Sequence, residues 1–252
     1  MLHGILRLFF PPRCLACRTL LPFATTGECA LCAKCASQWQ QSLHAQCKSC
    51  FLPYFDCRCV NSRLEKAGVI SHVKLAPYDE TGGGHGTVRR MILKMKQFDH
   101  KKRFDFVAKE LSLGVRQAVE AAEHERQSKA SSALTTVIVY LPRAAHNMME
   151  SGVDQARQLA LALARATGFP VKRAIVRRRD RISQKQLSRS ARAKNVRDVF
   201  FVKGDVEGVR VLLLDDVVTT GATMSEAARL LREAGAAEVI AVSVALTVGE
   251  KA

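Results

Sequence analysis

The stretch LLLDDVVTTGAT, residues 212–223, decides the fold. Three leucines run into two adjacent carboxylates, Asp215 and Asp216, then two valines, then Thr219, Thr220, Gly221, Ala222 and Thr223. The apolar run predicts a buried strand over 209–214. Two like charges side by side at its end repel, a cost in stability unless something uses them. Vicinal sugar hydroxyls are suitable partners, because a carboxylate accepts charge-assisted hydrogen bonds. The loop that follows opens a predicted helix over 223–234. Free backbone N–H groups at a helix start, with the hydroxyls of Thr219, Thr220 and Thr223, can cradle a phosphate, and Gly221 lets the backbone approach closely. Acceptors for a diol followed by donors for a phosphate match a ribose 5-phosphate. Thr223 with Glu226 is expected to form a T-x-x-E capping box, with Gly235 the stop; the plainer alternative to a ligand site is an acidic turn and an ordinary capped helix.

Working outward, the pattern alternates. A β-branched run at 135–141 predicts a buried strand and 153–167 a helix, stopped by Gly168, Phe169 and Pro170. Residues 171–176 and 238–246 read as further strands. Upstream, a connector over 61–76 enters a strand at 69–75, and TGGGHG (81–86) is loop by composition. A helix over 87–97 places Val88, Ile92 and Met95 on one face. Another over 104–126 carries Phe104, Val107, Leu111, Val115 and Val119 as its apolar stripe. Strands and helices in alternation, with apolar strands throughout, predict an α/β fold whose parallel sheet is flanked by helices.

All nine cysteines lie within residues 14–59. Eight form pairs: Cys14 with Cys17, Cys32 with Cys35, Cys47 with Cys50, and Cys57 with Cys59. Paired thiolates on tight turns suit tetrahedral zinc. Two sites are expected, the first two pairs forming one and the last two the other, with Cys29 the spare. The Cys57-x-Cys59 spacing is one residue short of the usual knuckle. Buried free thiols are the competing reading. A small segment poor in large apolar residues draws its folding energy from such a metal. The expected organisation is a cysteine-rich module over 1–60 and an α/β domain over 61–252.

The net charge is +16 and uneven. Residues 165–197 carry twelve Lys/Arg against Asp180 alone, and residues 89–103 carry seven against Asp99. Such runs are either solvated surface or footprints for nucleic acid. Lys96, Arg177, Arg178, Arg179, Arg181 and Arg192 are the candidate contacts. Aromatics are sparse there, so contact with the backbone rather than stacking of bases is expected. The chain contains no uncharged apolar run of membrane-spanning length, and its start, MLHGILRLFFPP, lacks the organisation of a signal peptide. That start is either an edge packed on the next module or a weak surface anchor. A cytoplasmic location is expected.

LLLDDVVTTGAT resembles the phosphoribosyl-diphosphate (PRPP) motif of type I phosphoribosyltransferases. Joined to amino-terminal cysteine pairs, it resembles the ComF family over nearly the whole chain. Ile92–Lys96 matches that family's apolar-x-x-x-Lys element, the strand ending at Pro142 its pyrophosphate-loop strand, and SGVDQ (151–155) its RGFNQ. Gln184, Leu187, Arg192 and Asn195 match a further segment. The resemblance implies that Asp215 and Asp216 contact ribose hydroxyls, that residues 219–223 hold the 5-phosphate, and that Arg143, Gly152 and Gln155 belong to the pyrophosphate loop, with Mg²⁺ accompanying PRPP. Glu150 and Ser151 stand where the family carries arginines, which opposes diphosphate binding. The implied role is DNA uptake or utilisation, with single-stranded DNA and a helicase-type protein as partners. An active phosphoribosyltransferase with an unknown acceptor and a PRPP- or nucleotide-sensing regulator are the alternatives.

Overall fold

The computed structural model describes residues 11–22, 30–78, 86–97, 101–143, 154–178 and 199–247. Gly152, Arg179, Arg181, Arg192, Cys29, Glu150 and Ser151 fall outside them, as do Gln184, Leu187 and Asn195.

Four parallel strands form the sheet: β1 (Val69–Tyr78), β2 (Thr136–Tyr140), β5 (Arg210–Val218) and β6 (Glu238–Thr247). Their order is β1-β6-β5-β2. Strand alternation sends successive side chains to two cores. Ile138, Tyr140, Leu212, Leu214, Ile240 and Val242 enter one. Val137, Val139, Val211, Leu213, Val239 and Ala241 enter the other. Both faces are therefore apolar, as a covered parallel sheet requires. The first face is covered by helices α3 (Gly86–Gln97), α4 (Lys101–Ser128) and α5 (Gln155–Thr167), the second by α6 (Ala222–Glu233).

Two departures from the sequence reading concern local pairing. Residues 171–176 do not form one strand of the sheet. Val171 makes a single bridge to Ile138, and β3 (Ile175–Arg177) pairs antiparallel with β4 (Phe200–Val202) in a separate two-stranded ribbon. Strands of three residues carry too little periodicity to be read ahead of time. The connector over 61–76 also contains a short helix, α2 (Ser62–Lys66), whose N-cap Asn61 Oδ1 accepts the Leu64 N–H at 2.9 Å.

The cysteine-rich segment packs on the first face of the sheet. Its helix α1 (Ala33–Leu43) buries Trp39 and Leu43, which join Cys14, Ala16, Leu21 and Cys35 in the same core as Met91, Phe104 and Val107. Polar contacts cross the same boundary. Trp39 Nε1 donates to Glu110 Oε2 at 3.1 Å, Thr87 Oγ1 to Gln38 Oε1 at 2.7 Å, and Arg103 Nε to the Leu15 carbonyl at 2.9 Å. At the amino ends of the strands, fully buried Arg210 joins α4 to β6 by donating to Glu123 Oε1 at 2.5 Å and Glu238 Oε2 at 2.6 Å.

Candidate ribose-phosphate site and cysteine clusters

Asp215 and Asp216 lie within β5, which runs on to Val218 rather than ending before the acids. What ends is the neighbour. β2 pairs with β5 only as far as Tyr140 opposite Leu214, and the Leu141 N–H then donates to the Leu214 carbonyl at 3.0 Å. The two acids therefore sit just past the point where β2 stops pairing with β5, at the carboxyl ends of parallel strands, where open α/β sheets bind ligands.

The carboxylates are held by their own backbone. Asp215 Oδ1 accepts the Asp216 N–H and Asp216 Oδ1 accepts the Val217 N–H, each at 2.8 Å. Burial, and then the charge of Asp216, push the Asp215 carboxyl well above its ordinary value. Asp216, in step with Leu212 and Leu214, meets the helices of the first face. Lys96 Nζ, near the end of α3, stands 3.2 Å from Asp216 Oδ2. Gln155, the first residue of α5 and 1% exposed, takes the amide orientation that satisfies both neighbours. Its nitrogen donates to Asp216 Oδ2 at 3.1 Å and its oxygen accepts the Lys96 N–H at 2.7 Å. Lys96, named above as a candidate nucleic-acid contact, is brought to the acid pair. Gln155, expected in the pyrophosphate loop, touches the second acid.

The loop after β5 leads into α6 through Gly221, the N-cap, in the left-handed region at φ 74°. An added Cβ there would stand 3.0 Å from Asn61 Nδ2. Thr219, Thr220 and Thr223 are exposed, and the N-cap, a glycine, has no side chain with which to cap the helix. The capping box expected of Thr223 and Glu226 does not form: α6 begins one residue earlier, at Ala222, and Glu226 pairs with Arg229 at 2.7 Å. The Ala222 N–H donates to Thr220 Oγ1 at 3.4 Å, so the start of α6 stands beside the exposed hydroxyls, an arrangement that can accept a phosphate.

Arg143 follows β2, and its charge reaches Asp154 at the start of α5. Burial raises the Asp154 carboxyl, while the Arg157 N–H and the charges of Arg157, Arg143 and Arg173 pull the other way. Asp154 is the N-cap of α5, accepting the Arg157 N–H at 3.2 Å. Arg177 lies over the Phe200 ring at 5.7 Å in the β3–β4 ribbon, and Arg178 is exposed at its end. The run 89–103 is not one basic surface. Arg103 is buried, Lys96 is paired, and Arg90 Nη2 donates to Gln38 Oε1 and Thr87 Oγ1, both at 2.8 Å.

The eight paired cysteines gather into two groups, Cys14, Cys17, Cys32 and Cys35, and Cys47, Cys50, Cys57 and Cys59, each with its sulfurs within 4.8 Å of one another. A tetrahedron with metal–sulfur bonds of about 2.3 Å has edges of about 3.8 Å; Cys17 Sγ and Cys32 Sγ are 3.7 Å apart. Both groups start on the same turn. The Cys14 N–H bonds to the Thr19 carbonyl and that of Arg18 to Cys14, while Cys47 N–H bonds to Leu52 and that of Phe51 to Cys47, all at 2.9 Å, with Arg18 and Phe51 at positive φ. The short Cys57-x-Cys59 spacing does not keep the second group apart. Either group can hold a metal ion. The α/β part supplies a cation to each: Arg90 Nη2 lies 3.8 Å from Cys35 Sγ, and Lys74, 1% exposed on β1, donates to the carbonyls of Cys57 (3.3 Å) and Cys59 (3.0 Å). The sequence reading missed these two cations; it named Lys96 and Gln155 but not their pairing with Asp216. Among the described residues no helix is long and apolar enough to cross a membrane.

The Phosphoribosyl transferase domain family matches residues 149–251. The chain is 28% identical to competence protein F of Haemophilus influenzae over 92% of this chain and 95% of that one. It is 28% identical to the DNA utilization protein YhgH of Salmonella typhimurium, over 91% and 94%. It is 25% identical to the competence protein ComFC of Streptococcus pneumoniae, over 90% and 96%.

Proposed function

We propose that this relative of the competence and DNA utilisation proteins works, as a ComF-type protein, in the uptake or use of DNA, binding a ribose-phosphate ligand and single-stranded DNA. Its two four-cysteine groups each hold a structural zinc ion. The observation that carries the reading is the Asp215–Asp216 pair beside the open start of α6, in a chain similar to those proteins over nine-tenths of its length. Each carboxylate oxygen left free by the backbone can accept a ribose hydroxyl, and the α6 N–H groups with Thr219, Thr220 and Thr223 can take the 5-phosphate. Mg²⁺, if PRPP is the ligand, would travel with its diphosphate. The zinc reading rests on all-thiolate donor sets of tetrahedral dimensions, the choice of a soft-ligand metal. The net charge of +16 favours a polyanionic partner.

Calorimetric titration of PRPP into the zinc-loaded protein, beside a folded Asp215→Asn/Asp216→Asn variant, tests the ribose-phosphate site. Binding by the wild type and loss in the variant are expected; equal binding by both removes the acids from the reading. Binding of a single-stranded oligonucleotide should weaken steeply with salt, because phosphate contacts release counterions. Salt-independent binding, or none, removes DNA.

A further inference from the structure

Lys96 is more than a surface ion pair. Pairs between exposed side chains contribute little, because both chains must be ordered and water screens them. Here both partners are held. Gln155, almost fully buried, donates to the Asp216 oxygen that faces the ammonium and accepts the backbone N–H of Lys96 itself. Six residues earlier on the same helix, Arg90 is tied to Gln38 and Thr87. The ammonium is therefore delivered to Asp216 by a helix fixed at two points.

This changes what the acid pair can bind. The ammonium balances the Asp216 carboxylate at 3.2 Å, and burial disfavours charge on Asp215. Asp216 Oδ2 already has two partners, Lys96 Nζ and the Gln155 amide, and Asp216 Oδ1 and Asp215 Oδ1 each accept a backbone N–H. Magnesium demands several unobstructed oxygens in near-octahedral order and sheds its water reluctantly. The residues here do not fit that ion. They fit neutral hydroxyl donors, each of which needs one remaining lone pair.

We propose that Lys96 is the resident cation of the diol site, standing where a divalent metal would otherwise sit beside Asp216, so that a ribose phosphate binds here without metal. The inference rests on the ribose-phosphate reading above and adds the identity of the counter-charge.

The test uses ribose 5-phosphate, which lacks the metal-chelating diphosphate of PRPP. It is titrated into the zinc-loaded protein in buffer freed of divalent ions by resin, then with millimolar Mg²⁺. Wild type should bind equally in both. Lys96→Met should bind about tenfold more weakly without Mg²⁺, the loss of one charge-assisted contact, and recover part of that with it. Lys96→Arg, which keeps the charge, should stay metal-independent. In a parallel titration with Mn²⁺ alone, followed by electron paramagnetic resonance, Lys96→Met should gain an ion that wild type does not hold. Wild-type binding that requires Mg²⁺, a Mn²⁺ ion at Asp216 in wild type, or metal-free binding by Lys96→Met at wild-type strength would each overturn the proposal. Failure of the underlying reading is distinguishable: neither protein binds the sugar phosphate under any condition, and the proposal falls with it.

Discussion

Replacing Gly221 by alanine strikes the ribose-phosphate loop and the short helix beneath it together. Gly221 has φ 74°, where an L-residue pays about 1–2 kcal/mol. The new Cβ would also meet Asn61 Nδ2 at 3.0 Å, with Asn61 Oδ1 and Leu64 Cγ at 3.5 Å. Asn61 must then move, and its Oδ1 is the cap of α2, accepting the Leu64 N–H at 2.9 Å. A lost cap of this kind costs about 1 kcal/mol. The expected destabilisation is therefore about 2–3 kcal/mol, read from urea unfolding with an unchanged denaturant slope. Trp39, the single tryptophan, lies buried in the core that joins the cysteine segment to the sheet, so its fluorescence reports whether the whole chain unfolds with the loop. The partition can be tested separately. In an Asn61→Ala background the cap and the clash are already gone, and the same glycine change should cost only the backbone share, a coupling of about 1 kcal/mol. A total cost below about 0.5 kcal/mol would refute the left-handed requirement, since that is the noise of an ordinary surface change. Equal costs in the two backgrounds would refute the role given to Asn61.

Asp215→Asn should stabilise the unliganded protein at neutral pH by about 0.5–2 kcal/mol while weakening ribose-phosphate binding, the trade expected where a site keeps a costly group. The Asp215 carboxyl is raised by burial and by Asp216, so its contribution to stability is full below the unfolded carboxylate pKa and is lost as pH rises through the folded one; thermal unfolding across pH should show the variant's advantage growing in that direction. Arg210→Met, which takes the buried guanidinium from Glu123 and Glu238 and leaves them only the Leu134 N–H and Arg126, should cost about 3 kcal/mol in denaturant unfolding. Burial raises the Glu123 carboxyl, but the hydrogen bonds from Arg210 and the Leu134 N–H outweigh it and hold it below its usual value. That stability is present above the unfolded pKa and lost as pH falls through the folded one, and Arg210→Met should flatten this acid limb. Lys74→Met removes the ammonium bonded to the Cys57 and Cys59 carbonyls; metal analysis after mild chelation should show loss from the second cysteine group first, and equal retention by wild type and variant would count against that role.

The sequence carried the fold because its signals are periodic and local. Alternation and β-branching marked β1, β2, β5 and β6, and helical spacing marked α3 to α6. The 11-residue α1 escaped because its segment was read for cysteine spacing alone, and α2, β3 and β4 span three to five residues, too few for a period to declare itself. The capping box failed because a T-x-x-E pattern states what a side chain could do, whereas Gly221 in the left-handed conformation had already set where α6 begins.

By itself the sequence determined the strand–acid–acid–loop–helix order at 209–234 and the eight cysteines that form two quartets, since both depend on residue types at close spacing along one chain. Tertiary structure alone decided what those groups face. Charge along the sequence has sign but no direction, so Lys96 and Arg103 read as basic surface until packing turned one onto Asp216 and the other onto the Leu15 carbonyl. Gln155 and Asp216 are 61 positions apart along the chain. They meet because a parallel sheet needs crossovers that bring distant segments to the same strand ends, where a buried polar group must find a partner or cost the fold its stability.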